Sequence, residues 1–355
     1  MTKYYAQTLP GIEPITWLEI KRVLPRVHFI ENLFVKEKNG IVVFDYNGDK
    51  GDLLNLRTTE DVFMLALSTQ DLSYDWRDLR WIANLIQESE SLGNAIELYF
   101  DQRRKPKNIT YRIVARKEGK HQYRRMDLEE AIRKGLERRF GNQWNFVEEG
   151  GALELWANII GSRFLLGLRL SSRTMRHRDY KKAHFPGSLR PSIAAAMIEL
   201  LEPEARDICL DPMCGGGTIV SEFLLSGQFH VVAGGDLDFN LSEMACQNLP
   251  SGKKALIGCW DATSLPFAAN SISKIASNLP FGKKIGTQED IEILYPKFVA
   301  EMERLLKPGG KAVLLSSQYE LLKDIIRKFP KIKMVRGYAI SILGEWGRLY
   351  LVEKM

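Results

Sequence analysis

Beyond Pro203 the chain alternates short, uninterrupted apolar runs with helical stretches; the runs are Ile208 to Leu210, Val231 to Ala233, Ala255 to Ile257, Ile272 to Ser277 and Ala312 to Ser316. Strands that are apolar on both faces belong to parallel sheets covered by helices on each side. The pattern therefore predicts an α/β, doubly wound sheet for residues 191–355. A helix from Pro191 through Ala194-Ala195-Ala196-Met197 opens it, with proline suited to the first turn and alanine to the interior. Such sheets bind ligands beyond the C-terminal ends of their strands. The residues just past each apolar run are thus the informative ones.

After the first run comes Asp211-Pro212-Met213-Cys214-Gly215-Gly216-Gly217-Thr218, leading into a helix near Ile219. Glycines let a backbone approach a ligand closely, and a helix N-terminus favours a carboxylate or phosphate. No Lys-Ser or Lys-Thr follows, which excludes a phosphate loop, and Val220 stands where the dinucleotide pattern has its third glycine. Asp236, followed by Leu237, closes the second strand, where a carboxylate meets ribose hydroxyls; Asp261, followed by Ala262, comes after the third, placed to accept from an adenine amino group. Asn278-Leu279-Pro280-Phe281-Gly282 closes the fourth. An aromatic amine is a poor nucleophile because its lone pair is delocalised into the ring. The Asn278 side-chain oxygen and the Leu279 carbonyl can accept its two protons and aim that lone pair, while Phe281 stacks on the ring. In this order the segments read as a pocket for S-adenosylmethionine followed by a clamp for a planar amino group.

Asp211 to Thr218 with Asn278 to Phe281 resembles the class I amino-group methyltransferases, whose second motif is usually Asn or Asp, Pro-Pro and an aromatic residue. Phe185-Pro186-Gly187-Ser188-Leu189-Arg190-Pro191 looks like the segment that leads into this domain in the THUMP-containing RNA guanine-N2 methyltransferases. The resemblance implies a Rossmann-like, mostly parallel seven-stranded sheet in residues 191–355, a ferredoxin-like domain in 1–60, a THUMP RNA-binding domain in 61–170 and a basic linker in 171–190. It implies S-adenosylmethionine held by Leu189, Asp211, Met213, Cys214, Gly215, Gly217, Asp236, Leu237, Asp261, Ala262 and Asn278, and acceptor chemistry at Asn278, Leu279, Pro280 and Phe281. Leu279 departs from the usual proline, but its carbonyl survives the change. The Asn-Leu-Pro-aromatic-Gly variant is most like the tRNA guanine-N2 enzymes acting at position 6 in the acceptor stem. Ribosomal RNA guanine-N2 enzymes, tRNA guanine-10 enzymes and a catalytically inactive RNA-binding THUMP protein are the alternatives.

The N-terminal half reads as mixed α+β. Tyr4 to Thr8 is strand-like, an amphipathic segment carries Ile15, Leu18, Ile20 and Val23, and Glu37-Lys38-Asn39-Gly40 is a turn signal between Asn32–Val35 and Ile41–Tyr46. Farther on come a helix over Trp76 to Glu90, strands over Ala95 to Phe100 and Ile109 to Ala115, a basic helix over Asp127 to Phe140 capped by Asp127, and strands over Ala152 to Ile159 and Phe164 to Leu170. The net charge of +6 is placed unevenly, with most of the excess before residue 190. Arg103, Arg104, Lys105, Arg124, Arg125, Arg138, Arg139, Arg176, Arg178, Lys181 and Lys182 are the candidate RNA contacts, and tRNA is the expected partner.

Cys209, Cys214, Cys246 and Cys259 form no Cys-x-x-Cys pair, and no histidine stands at metal-ligand spacing, so neither a metal nor a disulfide framework is expected. Cys214 reads as a small turn residue rather than a nucleophile. The N-terminus lacks a signal-peptide pattern and no apolar run reaches membrane-spanning length, so a cytoplasmic protein without a membrane partner is expected.

Overall fold

Every apolar run after Pro203 forms a strand in the computed structural model, which describes residues 2–35, 39–100, 106–183, 185, 187–282, 288–342 and 344–355. The chain divides into two units, one of residues 1–7, 20–56 and 61–174 and another of 8–19, 57–60 and 175–355.

The first unit is built on one eight-stranded sheet. Along the chain run β1 (Thr2–Thr8), α1 (Glu13–Val23), of which residues 13–19 belong to the second unit, β2 (His28–Val35), β3 (Asn39–Tyr46), β4 (Asp61–Thr69), α2 (Arg77–Glu88) and α3 (Glu90–Phe100). Then follow β5 (Ile109–Glu118), α4 (Arg125–Phe140), β6 (Trp144–Phe146), β7 (Leu153–Ile160) and β8 (Arg163–Arg169). The spatial order is β2-β3-β1-β4-β8-β7-β5-β6. The expected boundary at residue 60 is not a break in this sheet, because β4 pairs antiparallel with β1, Tyr4 opposite Met64 and Gln7 opposite Asp61. Tyr5 stacks on Phe63 across that pairing with ring centroids 4.7 Å apart.

Residues 95–100, expected as a strand, are the end of helix α3. The buried set Leu92, Ala95, Ile96, Tyr99 and Phe100 explains the correction, since steps of three and four are helical spacing that a window starting at Ala95 conceals. Helix α4 starts slightly earlier than expected. Asp127 lies one turn inside and reaches back, its Oδ2 accepting from the Arg124 N–H at 2.7 Å. The turn residues 36–38 lie outside the described residues.

In the second unit α5 (Pro191–Leu201), β9 (Ile208–Asp211), α6 (Thr218–Ser226), β10 (Val231–Asp236), α7 (Phe239–Gln247) and β11 (Leu256–Cys259) are followed by β12 (Ile272–Asn278) and α8 (Gln288–Leu305). Next come β13 (Leu306–Ser316), α9 (Tyr319–Ile326), β14 (Ile332–Ile342) and β15 (Glu345–Lys354). The order is β11-β10-β9-β12-β13-β15-β14. The first five of these are mutually parallel and β15 runs antiparallel to β13. One face of the sheet packs Cys209, Ala276, Val313 and Leu315 against Val220 and Phe223 of α6. The other packs Leu210, Ile275 and Leu314 against Tyr295 and Phe298 of α8.

The segment 8–19 belongs to this unit: Leu9, Ile12 and Ile15 enter the α6-side core, and the Ser341 N–H donates to the Pro10 carbonyl at 3.0 Å. Gly11 has φ +95°, and a Cβ there would meet the Ala339 carbonyl at 2.0 Å, so only glycine fits. Periodicity had marked this stretch as amphipathic without identifying the core it enters.

The charged stretch after residue 174 is likewise part of the unit rather than a free linker. Glu222 on α6 is fully buried and accepts from Arg57 Nη2 at 2.6 Å, Arg178 Nε at 3.1 Å and the Tyr180 hydroxyl at 2.8 Å. Nearby, Glu60 accepts from Arg190 at 3.2 Å and from the Ser192 hydroxyl at 2.6 Å. Burial alone would raise the Glu222 carboxyl, but Arg57 and Arg178 outweigh it and hold the group below the usual glutamate range. A folded value below the unfolded one gives stability that is present above the ordinary glutamate range and is lost as pH falls through the lowered value. Removing one partner of a buried pair costs about 3–5 kcal/mol. Arg178→Met should lower the unfolding free energy in urea by roughly 3 kcal/mol at neutral pH, with the deficit shrinking on acidification as Glu222 is protonated. Equal stability at neutral pH would contradict this account of the network.

Candidate active site at the strand-order reversal

Strands β9 and β12 are neighbours, Cys209 pairing with Lys274 and Leu210 with Ile275, yet their following helices turn to opposite faces of the sheet. A crevice opens at such a reversal, and ligands of open α/β sheets bind there. The glycine segment leaves β9 at this point and Asn278 ends β12 beside it.

The glycine segment is pinned by its own backbone. Cys214 N–H donates to the Gly235 carbonyl and Gly217 N–H to the Cys214 carbonyl, both at 2.8 Å. Gly217 has φ +76°, and a Cβ there would meet the Ala245 Cβ at 2.9 Å. Asp236 holds the turn from the next strand: Oδ2 accepts from Gly215 N–H at 2.9 Å and Oδ1 from Asp238 N–H at 3.1 Å. An ionised carboxylate offers about four acceptor sites, so these bonds leave capacity for a diol. Asp261 is exposed, with Oδ1 accepting from the Thr263 N–H and hydroxyl at 2.8 Å each. Leu237 is 74% exposed, and Ala262 is buried. Sequence reasoning missed Trp260, whose indole donates to the Pro212 carbonyl at 3.2 Å. Its ring occupies the space where Cβ atoms on Gly235 and Gly258 would lie, at 2.4 and 2.5 Å. Those two glycines on adjacent strands were the available signal.

Two buried side-chain atoms without a hydrogen-bond partner among the described residues, Asn278 Oδ1 and Ser317 Oγ, lie at the ends of adjacent strands, beside the buried Asp211 carboxyl and its neighbour Ser277. Buried polar atoms are nearly always paired, so such atoms mark where a ligand completes the structure. Ser317, just past β13, was not singled out from sequence, because a lone serine carries no pattern. Burial, reinforced by Asp236, pushes the Asp211 carboxyl well above the usual aspartate range. Burial and the same two carboxylates push the Cys214 thiol up, away from the thiolate form a nucleophile needs. Leu279 is buried in the α8-side core, and its N–H extends the ladder to the Leu315 carbonyl at 3.0 Å. The Pro280 carbonyl accepts from the Tyr295 hydroxyl at 2.8 Å, whereas the Leu279 carbonyl takes no hydrogen bond among the described residues. Phe281 is partly buried against the α6-side core, which also contains Leu189. Met213 packs at the edge of the α8-side core.

The candidate RNA contacts separate into two groups. Arg139 donates to the carbonyls of Ile86, Gln87 and Ser89 at the end of α2, Arg178 binds Glu222, and Lys181 donates to the Leu189 carbonyl at 3.0 Å. These three are engaged inside their own units, and burial pulls the Lys181 ammonium down. Arg124, Arg138 and Lys182 are exposed. Arg125 pairs with Glu129 at 3.6 Å, and the half-exposed Arg176 lies 3.8 Å from Glu60. Arg103, Arg104 and Lys105 lie outside the described residues. Among the described residues no group of three His, Cys, Asp or Glu side chains is placed to hold a metal ion, and no helix is long and apolar enough to cross a membrane.

A parallel sheet reversed at its centre, an antiparallel last strand, a glycine turn latched by the next strand's aspartate and a polar motif on the fourth strand define a class I methyltransferase fold. Residues 178–346 match the RMKL-like methyltransferase domain family (UPF0020). The chain is 28% identical over 249 residues to a tRNA (guanine(6)-N2)-methyltransferase of Thermus thermophilus, covering 69% of this chain and 73% of that enzyme. It is also 28% identical over 219 residues to the tRNA (guanine(6)-N(2))-methyltransferase THUMP3 of Bos taurus, but that match spans only 43% of the bovine protein. The fold superposes on the crystal structure of TrmN from Thermus thermophilus with a TM-score of 0.81 and 24% identity, covering both chains in full.

The Asp211 carboxyl titrates higher folded than unfolded, so ionisation at neutral pH costs stability that returns on acidification. Asp211→Asn should stabilise the protein by roughly 1–2 kcal/mol near neutral pH, with an advantage that fades toward acid. Thermal melts across pH check this; a variant that is less stable at neutral pH would contradict it.

Proposed function

We infer that the protein transfers the methyl group of S-adenosylmethionine to the exocyclic N2 amine of a guanosine in tRNA. The carrying observation is the pair of buried, unpartnered polar atoms Asn278 Oδ1 and Ser317 Oγ at the ends of adjacent strands, next to the glycine turn that Asp236 latches. S-adenosylmethionine, when bound, supplies an electrophilic methyl group on a sulfonium. The residues fit it: the Gly215 turn and the α6 N-terminus suit its methionine end, Asp236 its ribose, and Asp261 with Ala262, beside Leu237 and Trp260, its adenine.

On the acceptor side, Asn278 Oδ1 and the Leu279 carbonyl accept hydrogen bonds from the two amine N–H groups, and once the methyl has transferred the nitrogen loses its surplus proton to water. Geometry thus localises the lone pair, and no strong base is required. The Tyr295 hydroxyl holds the Pro280 carbonyl, which fixes the loop that presents both acceptors. Phe281 stacks on the base and Ser317 gives it a further polar contact. A paired guanine must leave its stack, at a cost of a few kcal/mol, and position 6 of the acceptor stem is the preferred target because this chain carries the Asn-Leu-Pro-Phe form of the motif. Residues 61–170 act as the THUMP RNA-binding part with 1–60 as its ferredoxin-like companion, and Arg124, Arg125, Arg138, Arg176 and Lys182 are the remaining cations for phosphate contact. A tRNA substrate makes the cytoplasm the expected compartment.

Incubation of unmodified tRNA transcripts with labelled S-adenosylmethionine, followed by nucleoside mass spectrometry, should yield N2-methylguanosine. Asn278→Ala should reduce the rate at least 100-fold, on the order of an electrostatic group lost from a transition state, with tRNA affinity little changed. Methylation at another atom, or a fully active Asn278→Ala enzyme, would overturn the proposal.

A further inference from the structure

The side chain of Asn248, just beyond α7, is 2% exposed and makes three hydrogen bonds. Its Oδ1 accepts from the Ala183 N–H at 2.8 Å, and its Nδ2 donates to the Ala183 carbonyl at 3.0 Å and to the Gly216 carbonyl at 2.9 Å. The first two bonds form a reciprocal pair with one residue, as two strands would. The third ties that pair to the glycine turn.

Ala183 belongs to the stretch 178–190, which is anchored at two other points on α6. Arg178 and Tyr180 bind Glu222 at one end, and at the other Ser188 Oγ lies 3.3 Å from Thr218 Oγ1 at the first residue of the helix. Leu189 follows immediately. Asn248 thus fastens Ala183 between these two anchored ends. By drawing the Gly216 carbonyl to itself, it also settles the orientation of the Gly216–Gly217 peptide. A carbonyl turned the other way would oppose a carboxylate at the α6 N-terminus.

We propose that Asn248 is a positioning residue that fastens Ala183 to the glycine turn and thereby sets the affinity for S-adenosylmethionine; this rests on the reading of that turn as the cofactor site. An aspartate in its place is nearly isosteric, but an ionised carboxylate would confront two carbonyl oxygens with no proton to give. Once protonated, it regains one donor.

The test is calorimetric titration of S-adenosylhomocysteine into the full chain, together with steady-state kinetics in S-adenosylmethionine. Asn248→Asp should weaken binding about tenfold or more near pH 8, roughly the loss of one hydrogen bond and the creation of a repulsive contact. KM for S-adenosylmethionine should rise in parallel while kcat stays within about twofold. The defect should shrink on acidification, because burial and the two facing carbonyl oxygens raise the carboxyl above the ordinary aspartate range and favour its protonation. Asn248→Ala should show the weakened binding without the recovery. Ala183→Pro removes the N–H that Asn248 accepts without altering α7, and should weaken binding too if Asn248→Asp does not fold. Wild-type affinity in the variants, or an Asn248→Asp loss that is flat with pH and shared equally by kcat, would overturn the proposal. Gly217→Val separates it from the underlying reading: tight binding by that variant means the turn is not the cofactor site, whereas its loss beside an unaffected Asn248→Asp refutes the fastening alone.

Discussion

Everything at the candidate site depends on β9 and β12 lying side by side while the chain leaves them in opposite directions. Hydrogen bonding between Leu210 and Ile275 fixes the two strand ends next to one another. Helix α6 returns over one face and α8 over the other. Ligands of open α/β sheets bind where neighbouring strands send their helices to opposite faces. The side chains only have to furnish that place, the glycine turn on one side and Asn278 on the other.

That furnishing runs against stability in places. Asp211 is buried without a cation and would be easier to fold as a neutral group, and Asn278 and Ser317 carry polar atoms that a purely structural core would pair or replace. Glu222 shows the contrast. It is as deeply buried, yet two arginines and a tyrosine satisfy it, and its role is to hold the 178–190 segment on α6. Asn278 Oδ1 and Ser317 Oγ stay unpaired at the strand ends, whereas Glu222 is paired on every side.

Much of this was legible in the residues because it is local. Continuous apolar runs specified the parallel sheet, and Asp236 and Asn278 end their strands as the spacing suggested. Partner choice across the sequence was not legible. Nothing in Leu9, Ile12 and Ile15 says which core they enter, and nothing in Arg178 or Arg139 distinguishes a cation facing RNA from one satisfying a buried carboxylate or a helix end. Trp260 and Asn248 were missed for the same reason: each matters through a residue far away in the chain, Pro212 or Ala183. The segment Ala95–Phe100 failed differently, a window too short to separate two periods.

The central claim is that the orphaned atoms at the β9–β12 reversal are completed by the cofactor and the acceptor amine. A crystal structure of the full chain with S-adenosylhomocysteine tests it most directly. The account predicts the homocysteine portion against the Gly215 turn, the ribose on Asp236, and the sulfur facing Asn278 Oδ1 across the space left for the amine. Ligand bound elsewhere, or bound with its sulfur directed away from Asn278, would contradict it.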